Sequence, residues 1–133
     1  MERDFDTYLR TFDHDERLAM KIGLDEMLDR YAKGEIQLVD IRFPEEHAAW
    51  SVNMGQRIPL NELPDRLDEL DRTKTIVTMC PHYDRAEIAR LYLTLRGYKG
   101  CELTSTQIMP PIGLPCRRPR MSPISWTDAG RAC

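Results

Sequence analysis

The sequence predicts an α/β fold: a central, mostly parallel five-stranded sheet with helices on both faces, a helical N-terminal segment and a Pro/Arg-rich C-terminal tail. Three observations predict it. Short β-branched apolar runs, clearest at Ile36-Gln37-Leu38-Val39-Asp40-Ile41 and Thr75-Ile76-Val77-Thr78-Met79, alternate with segments whose apolar residues recur at helical spacing. This is the pattern of parallel strands buried between helix layers. The second run ends on a cysteine, Cys80, and a helical pattern starts near Arg85, so a thiol stands at a strand-to-helix junction. Finally, 133 residues suit one domain with a substantial core, and are too few for two.

In chain order, Phe5, Tyr8, Leu9 and Phe12 fall at i, i+3, i+4, i+7 within residues 4–20, which predicts a short amphipathic helix docking on the body or serving as a partner-binding arm. His14, among Asp13, Asp15 and Glu16, reads as solvated. A brief strand over residues 20–22 precedes Gly23, and Leu24, Met27, Leu28 and Tyr31 mark one face of a helix that stops at Lys33-Gly34. After the strand at 36–41, residues 44–50 read as a turn entering one or two helical turns. Ile58 is a small strand before Pro59, and Asn61 caps a short helix that turns Leu63, Leu67 and Leu70 inward. Beyond the strand at 75–79, Ile88, Leu91, Tyr92 and Leu95 set a helix over 85–96 with Gly97 at its C′ position, followed by a strand over 100–104. Residues 1–19 thus form an N-terminal extension, 20–106 the domain and 107–133 a tail holding five of the nine prolines and no helical or alternating period. Ile124 and Trp126 would anchor that tail to the body if it is not disordered.

Charge divides the same way. Residues 1–106 hold 15 of the 19 Lys+Arg and 21 of the 22 Asp+Glu, a net charge of −6, whereas Arg117, Arg118, Arg120 and Arg131 against Asp128 give residues 107–133 a charge of +3. An acidic body argues against a nucleic-acid partner, although the basic tail alone would attract an anionic one. The N-terminus lacks a basic start followed by an apolar core, and no later run is long enough to cross a bilayer, so the expectation is a cytoplasmic chain with no membrane partner. Cysteines at 80, 101, 116 and 133 contain no C-x-x-C pair and match no zinc pattern, which predicts reduced thiols without a metal or other cofactor.

Cys80 has two readings, a small buried hydrophobe or a nucleophile. Its position favours the second. In a parallel sheet the C-terminal ends of the strands form the functional edge, and the unpaired N–H groups and dipole at a helix N-terminus favour a thiolate. Arg85, separated from Cys80 by a loop of four residues, adds positive charge.

The segment Leu38-Val39-Asp40-Ile41-Arg42-Phe43-Pro44-Glu45-Glu46, the Ile58-Pro59-Leu60 stretch, the Cys80-x-x-x-x-Arg85 loop and Gly97-Tyr98 occur in the order and spacing of a known family. Over residues 20–104 the chain resembles a single-domain rhodanese, a sulfurtransferase. The resemblance implies a persulfide on Cys80, a loop of Pro81, His82, Tyr83, Asp84 and Arg85 that cradles it, and Arg85 holding the loop's shape. It also implies a sulfane-sulfur donor (thiosulfate, a persulfide or polysulfide) and a thiol or protein acceptor. Phosphatases and arsenate reductases of the same fold place five residues between Cys and Arg; the four here suit a single sulfur atom better than a tetrahedral oxyanion. Asp40 and Arg42 read as structural support, Asp40 accepting from nearby backbone and Arg42 pairing with Glu46 at i, i+4.

The loop departs from the family pattern in three places. Pro81 has no N–H to donate, Tyr83 stands where the family has Gly and disfavours a left-handed turn, and Asp84 brings negative charge toward the anion site. Dianionic thiosulfate suffers most from these changes. An alternative is therefore a rhodanese-like module that has lost turnover and binds partners. His82 is either a proton donor and second cation or a neutral bystander. The segment Trp50-Ser51-Val52-Asn53-Met54-Gly55 replaces the usual one before the second strand, so Trp50 and Met54 are material for a rebuilt pocket wall. Cys101 reads as a core residue; Cys116 and Cys133 are either surface thiols or candidates to resolve the persulfide.

Overall fold

Five parallel strands, β1 (Lys21–Ile22), β2 (Ile36–Asp40), β3 (Gln56–Arg57), β4 (Thr75–Met79) and β5 (Lys99–Leu103), lie in the order β1-β5-β4-β2-β3. The sheet is parallel throughout, in a computed structural model that describes residues 2–81 and 84–104. β4 is central, paired along its length with β2 and over four residues with β5. Alternation along the strands divides the core. Ile36, Leu38, Val77, Met79 and Leu103 pack with Met27 of α3 (Leu24–Ala32) on one face. Val39, Ile76 and Cys80 pack on the other against a 3-10 helix (Leu60–Glu69) and α5 (Asp84–Leu95). A short helix, α4 (Pro44–Ala49), follows β2. Among the described residues no helix is long and apolar enough to cross a membrane.

The N-terminal segment forms two helices, α1 (Phe5–Arg10) and α2 (His14–Ala19), because Asp13 caps the second, accepting the Glu16 N–H at 2.8 Å, and so stops a single helix from continuing. Of the expected docking stripe only Tyr8 is buried; Phe5, Leu9 and Phe12 are exposed. On α3, Leu24, Met27 and Tyr31 pack on the core as expected, while Leu28 faces solvent. The 3-10 helix starts after Pro59 rather than from an Asn61 cap, and its Leu63 is buried.

The largest revision concerns α5. Its apolar repeat at Ile88, Leu91, Tyr92 and Leu95 is not the buried face: Ile88 is 58% exposed, and Ala86, Ala89, Arg90, Leu93 and Thr94 are buried instead. Small alanines let the helix lie close to the sheet, and the approach is tight enough that a Cβ on Gly100 would sit 2.9 Å from the Arg90 carbonyl. Arg90 is buried because it has partners, namely Glu87, the Tyr8 hydroxyl and Thr94. Gly97, at φ 86°, ends the helix as expected.

Candidate active site

β4 delivers Cys80 to the C-terminal edge of the sheet and points it at the first turn of α5. The thiol is buried, at 3% exposure, and its Sγ accepts the Ala86 N–H at 3.2 Å. That N–H belongs to the first turn of the helix, so the sulfur accepts from a donor at the positive end of a twelve-residue helix. Thr78 fixes the same turn from the strand, its single hydroxyl proton shared between the Ala86 carbonyl at 2.9 Å and the Cys101 carbonyl at 3.2 Å.

Arg85 and Asp84 flank the sulfur differently from expectation. The Arg85 guanidinium grips the Glu46 carboxylate with two hydrogen bonds, one of them NH2 to Oε2 at 2.9 Å, and lies 5.6 Å from the Phe43 ring centroid. Hydrogen bonding from Arg85 is the main cause that holds Glu46 below the usual carboxylate range, with the Phe43 N–H assisting. The same bonds raise Arg85, and the negative character of Cys80 adds to the effect. Asp84 is exposed, and its carboxylate accepts the Arg85 N–H at 2.8 Å. That amide is thereby engaged, and a negative charge remains at the mouth.

The expected Arg42–Glu46 pair does not form. Arg42 precedes the N-cap Phe43 and lies outside α4, so i, i+4 spacing places nothing opposite Glu46. Arg42 instead forks onto Asp40, with NH2 to Oδ2 at 2.7 Å and Nε to Oδ1 at 3.0 Å, both side chains almost fully buried. Asp40 also accepts the Arg42 backbone N–H at 3.2 Å, as the sequence predicts. His47 Nδ1 lies 3.3 Å from Asp40, and the Trp50 ring stacks 4.2 Å from the Arg42 guanidinium carbon. Trp50 is therefore packing for this buried hub. Met54 packs with the α3-side core, on the sheet face opposite Cys80.

Cys101 is only partly buried; its thiol donates to the Ala19 carbonyl at 2.9 Å, and burial pushes its pKa up. His82, Tyr83, Cys116, Cys133, Ile124 and Trp126 lie outside the described residues. Sequence reasoning missed His47 as a hub member and the cross-chain Glu46–Arg85 clamp, whose only signal was that each residue belonged to a segment already singled out.

A stretch of 55 residues is 44% identical to an HTH-type transcriptional regulator of Mycobacterium tuberculosis, covering 41% of this chain and 24% of the regulator. The chain therefore spans about a quarter of that relative. A sulfurtransferase of Allochromatium vinosum is 29% identical over 82 residues, 61% of this chain and 77% of that protein. The fold matches a human single-domain sulfurtransferase with a TM-score of 0.55 at 23% identity, over 65% of this chain and 88% of that one. The family described as Rhodanese-like domain matches residues 23–104, more than half of the chain. The protein belongs to the rhodanese-like domain family.

Proposed function

We propose that this chain is a sulfurtransferase or sulfur carrier that moves sulfane sulfur through a persulfide on Cys80. The observation that carries the proposal is the Cys80 sulfur seated on the Ala86 N–H at the α5 N-terminus, with the Arg85–Glu46 clamp beside it. The donor there faces the sulfur, and the terminal sulfur of a persulfide would be held the same way. In loading, the Cys80 thiolate attacks the outer sulfur of R–S–S⁻, forming Cys80–S–S⁻ and releasing RS⁻; from thiosulfate the leaving group is sulfite. In unloading, an acceptor thiolate attacks the outer sulfur and Cys80 leaves as the thiolate. Electrons balance in each step without a cofactor.

Charge favours a singly charged persulfide or polysulfide donor over thiosulfate. Arg85 is neutralised by Glu46, Asp84 adds a negative charge, and Pro81 brings no N–H. The acceptor is a thiol, on a small molecule or a protein, in a reducing cytoplasmic setting. Incubation with thiosulfate, glutathione persulfide or polysulfide, followed by intact-mass measurement, is expected to add one sulfur atom to the wild type and none to Cys80→Ser at that site. Absence of labelling from every donor sinks the proposal.

The same Asp84 and Glu46 contacts favour a second reading, a module that binds partners without turnover. In that case Cys80→Ser leaves partner binding and function unchanged.

A further inference from the structure

A second set of buried ionisable groups lies behind the first turn of α5. Glu102 of β5 is 1% exposed and stands in register with Thr78 of β4, on the α5 side of the sheet. The Ala86 and Cys101 carbonyls both meet the Thr78 hydroxyl, which brings the residues that follow them, Glu87 and Glu102, next to each other. Two oxygens of this pair, Glu102 Oε1 and Glu87 Oε2, are buried and meet no donor if both groups are ionised. One proton between the two carboxyls satisfies both oxygens at once. Burial first, and then Glu87, raise Glu102 from its ordinary value of 4.5 to about 7, so the acid form is present in neutral solution.

The groups facing the pair are Lys21 from β1 and Arg90 from α5, with Glu16 of α2 and Tyr8 of α1 reached through Arg90. Arg90 Nε already donates to Glu87 Oε1 at 2.8 Å, so Glu87 is the member with a cation and Glu102 the one that carries the proton. Glu87 directly follows Ala86, whose N–H holds the Cys80 sulfur and whose carbonyl is held by Thr78.

We propose that Glu102 is a positioning residue for Cys80: as a carboxylic acid it donates to Glu87, holds the first turn of α5 on the sheet, and keeps the Ala86 N–H on the sulfur. Ionisation of Glu102 sets two carboxylates against each other and releases that turn. Glu102 touches no substrate. The inference rests on Cys80 being the reactive thiol, and it is read without any sulfur-transfer assay, so it fails independently of the proposed function.

The first readout is the backbone amide resonance of Ala86, followed through a pH titration in Cys80→Ser, where no thiol titrates at that position. A step with a midpoint near 7 is expected. Adding Glu102→Gln, whose amide donates to Glu87 at every pH, abolishes the step. No step in Cys80→Ser, or a step that survives Glu102→Gln, overturns the proposal. The second readout is the midpoint of Cys80 alkylation against pH, resolved by peptide mass. Glu102→Ala raises that midpoint by about 0.5–1 unit over Glu102→Gln, the equivalent of one weakened hydrogen bond to the sulfur. Equal midpoints in the two folded variants overturn the coupling to Cys80, and if Glu102→Ala does not fold, the Ala86 titration alone decides.

Discussion

Two arginine–carboxylate forks lie at the functional edge of the sheet, alike in chemistry and opposite in surroundings. Arg42 and Asp40 are 1% and 4% exposed, are joined by the chain itself and are enclosed by His47 and Trp50. Arg85 and Glu46 are 22% and 33% exposed and connect α5 to α4 across 39 residues. Burial decides what each fork does. The inner pair has paid its desolvation in full, so each member is needed to keep the other from standing as an uncompensated buried charge. The outer pair keeps contact with water, contributes little to stability, and sits where it sets the field around a thiol. Under the proposed function, the inner fork serves the fold and the outer fork the thiol's surroundings.

The largest expected effect breaks this comparison directly. Arg42→Met leaves Asp40 buried without its cation and is expected to lower stability by about 3–5 kcal/mol, measured by urea unfolding. Arg85→Met is expected to change stability by about 1 kcal/mol or less, while sulfur loading of Cys80 falls at least tenfold. Equal destabilisation by the two substitutions would erase the distinction.

This division explains what was legible in the sequence. The places of the strands along the chain, the thiol at the end of β4 and Gly97 as the stop of α5 were readable because each rests on local pattern: apolar runs, a junction, a glycine that accepts φ 86°. The fork partners were not, because Glu46 meets Arg85 only after two helices have docked. The assumed Arg42–Glu46 spacing failed for a stated reason, that Arg42 is outside the helix. The face of α5 was misread because a large-apolar rule selects Ile88, whereas close approach to Gly100 selects Ala86 and Ala89 and tolerates a paired Arg90. Glu102 carried no sequence signal, since a charged residue in a strand reads as solvent-facing until its neighbours are known.

Glu102 sharpens the comparison by adding a buried acid that burial and Glu87, more than the nearby Lys21 and Arg90, govern. Its value rises from 4.5 toward about 7 on folding. Between those values the folded state holds a proton that the unfolded state has released, so stability falls as pH rises through this window and levels off above it. The loss is on the order of 2–4 kcal/mol. Glu102→Gln is expected to flatten the curve of stability against pH from about 4.5 to 7. Glu46 has the opposite sign: held low by Arg85, it contributes stability that is kept above the ordinary carboxylate value and lost only as pH falls through its lowered one. A wild-type curve that is flat across the window would show that Glu102 is ionised in the folded protein.

The smallest effect belongs to Asp84, an exposed charge at the start of α5. Its carboxylate engages the Arg85 N–H and adds a negative charge beside a clamp whose positive charge Glu46 has already balanced. Removing that charge with Asp84→Asn keeps the side-chain oxygen that accepts the N–H, so the helix start survives while repulsion toward a dianion falls. For an exposed charge a few ångströms from the incoming donor, the gain is about 1 kcal/mol, or roughly fivefold in loading from thiosulfate. A singly charged persulfide gains less, because the repulsion scales with its charge. Since the effect is electrostatic and solvent-facing, high salt shrinks it, the Debye length falling from about 8 Å to about 3 Å between physiological and molar salt. Loading rates for both donors, measured in the wild type and Asp84→Asn at low and high salt, test this. A gain that is equal for the two donors and indifferent to salt would mean that Asp84 shapes the loop instead of repelling the substrate.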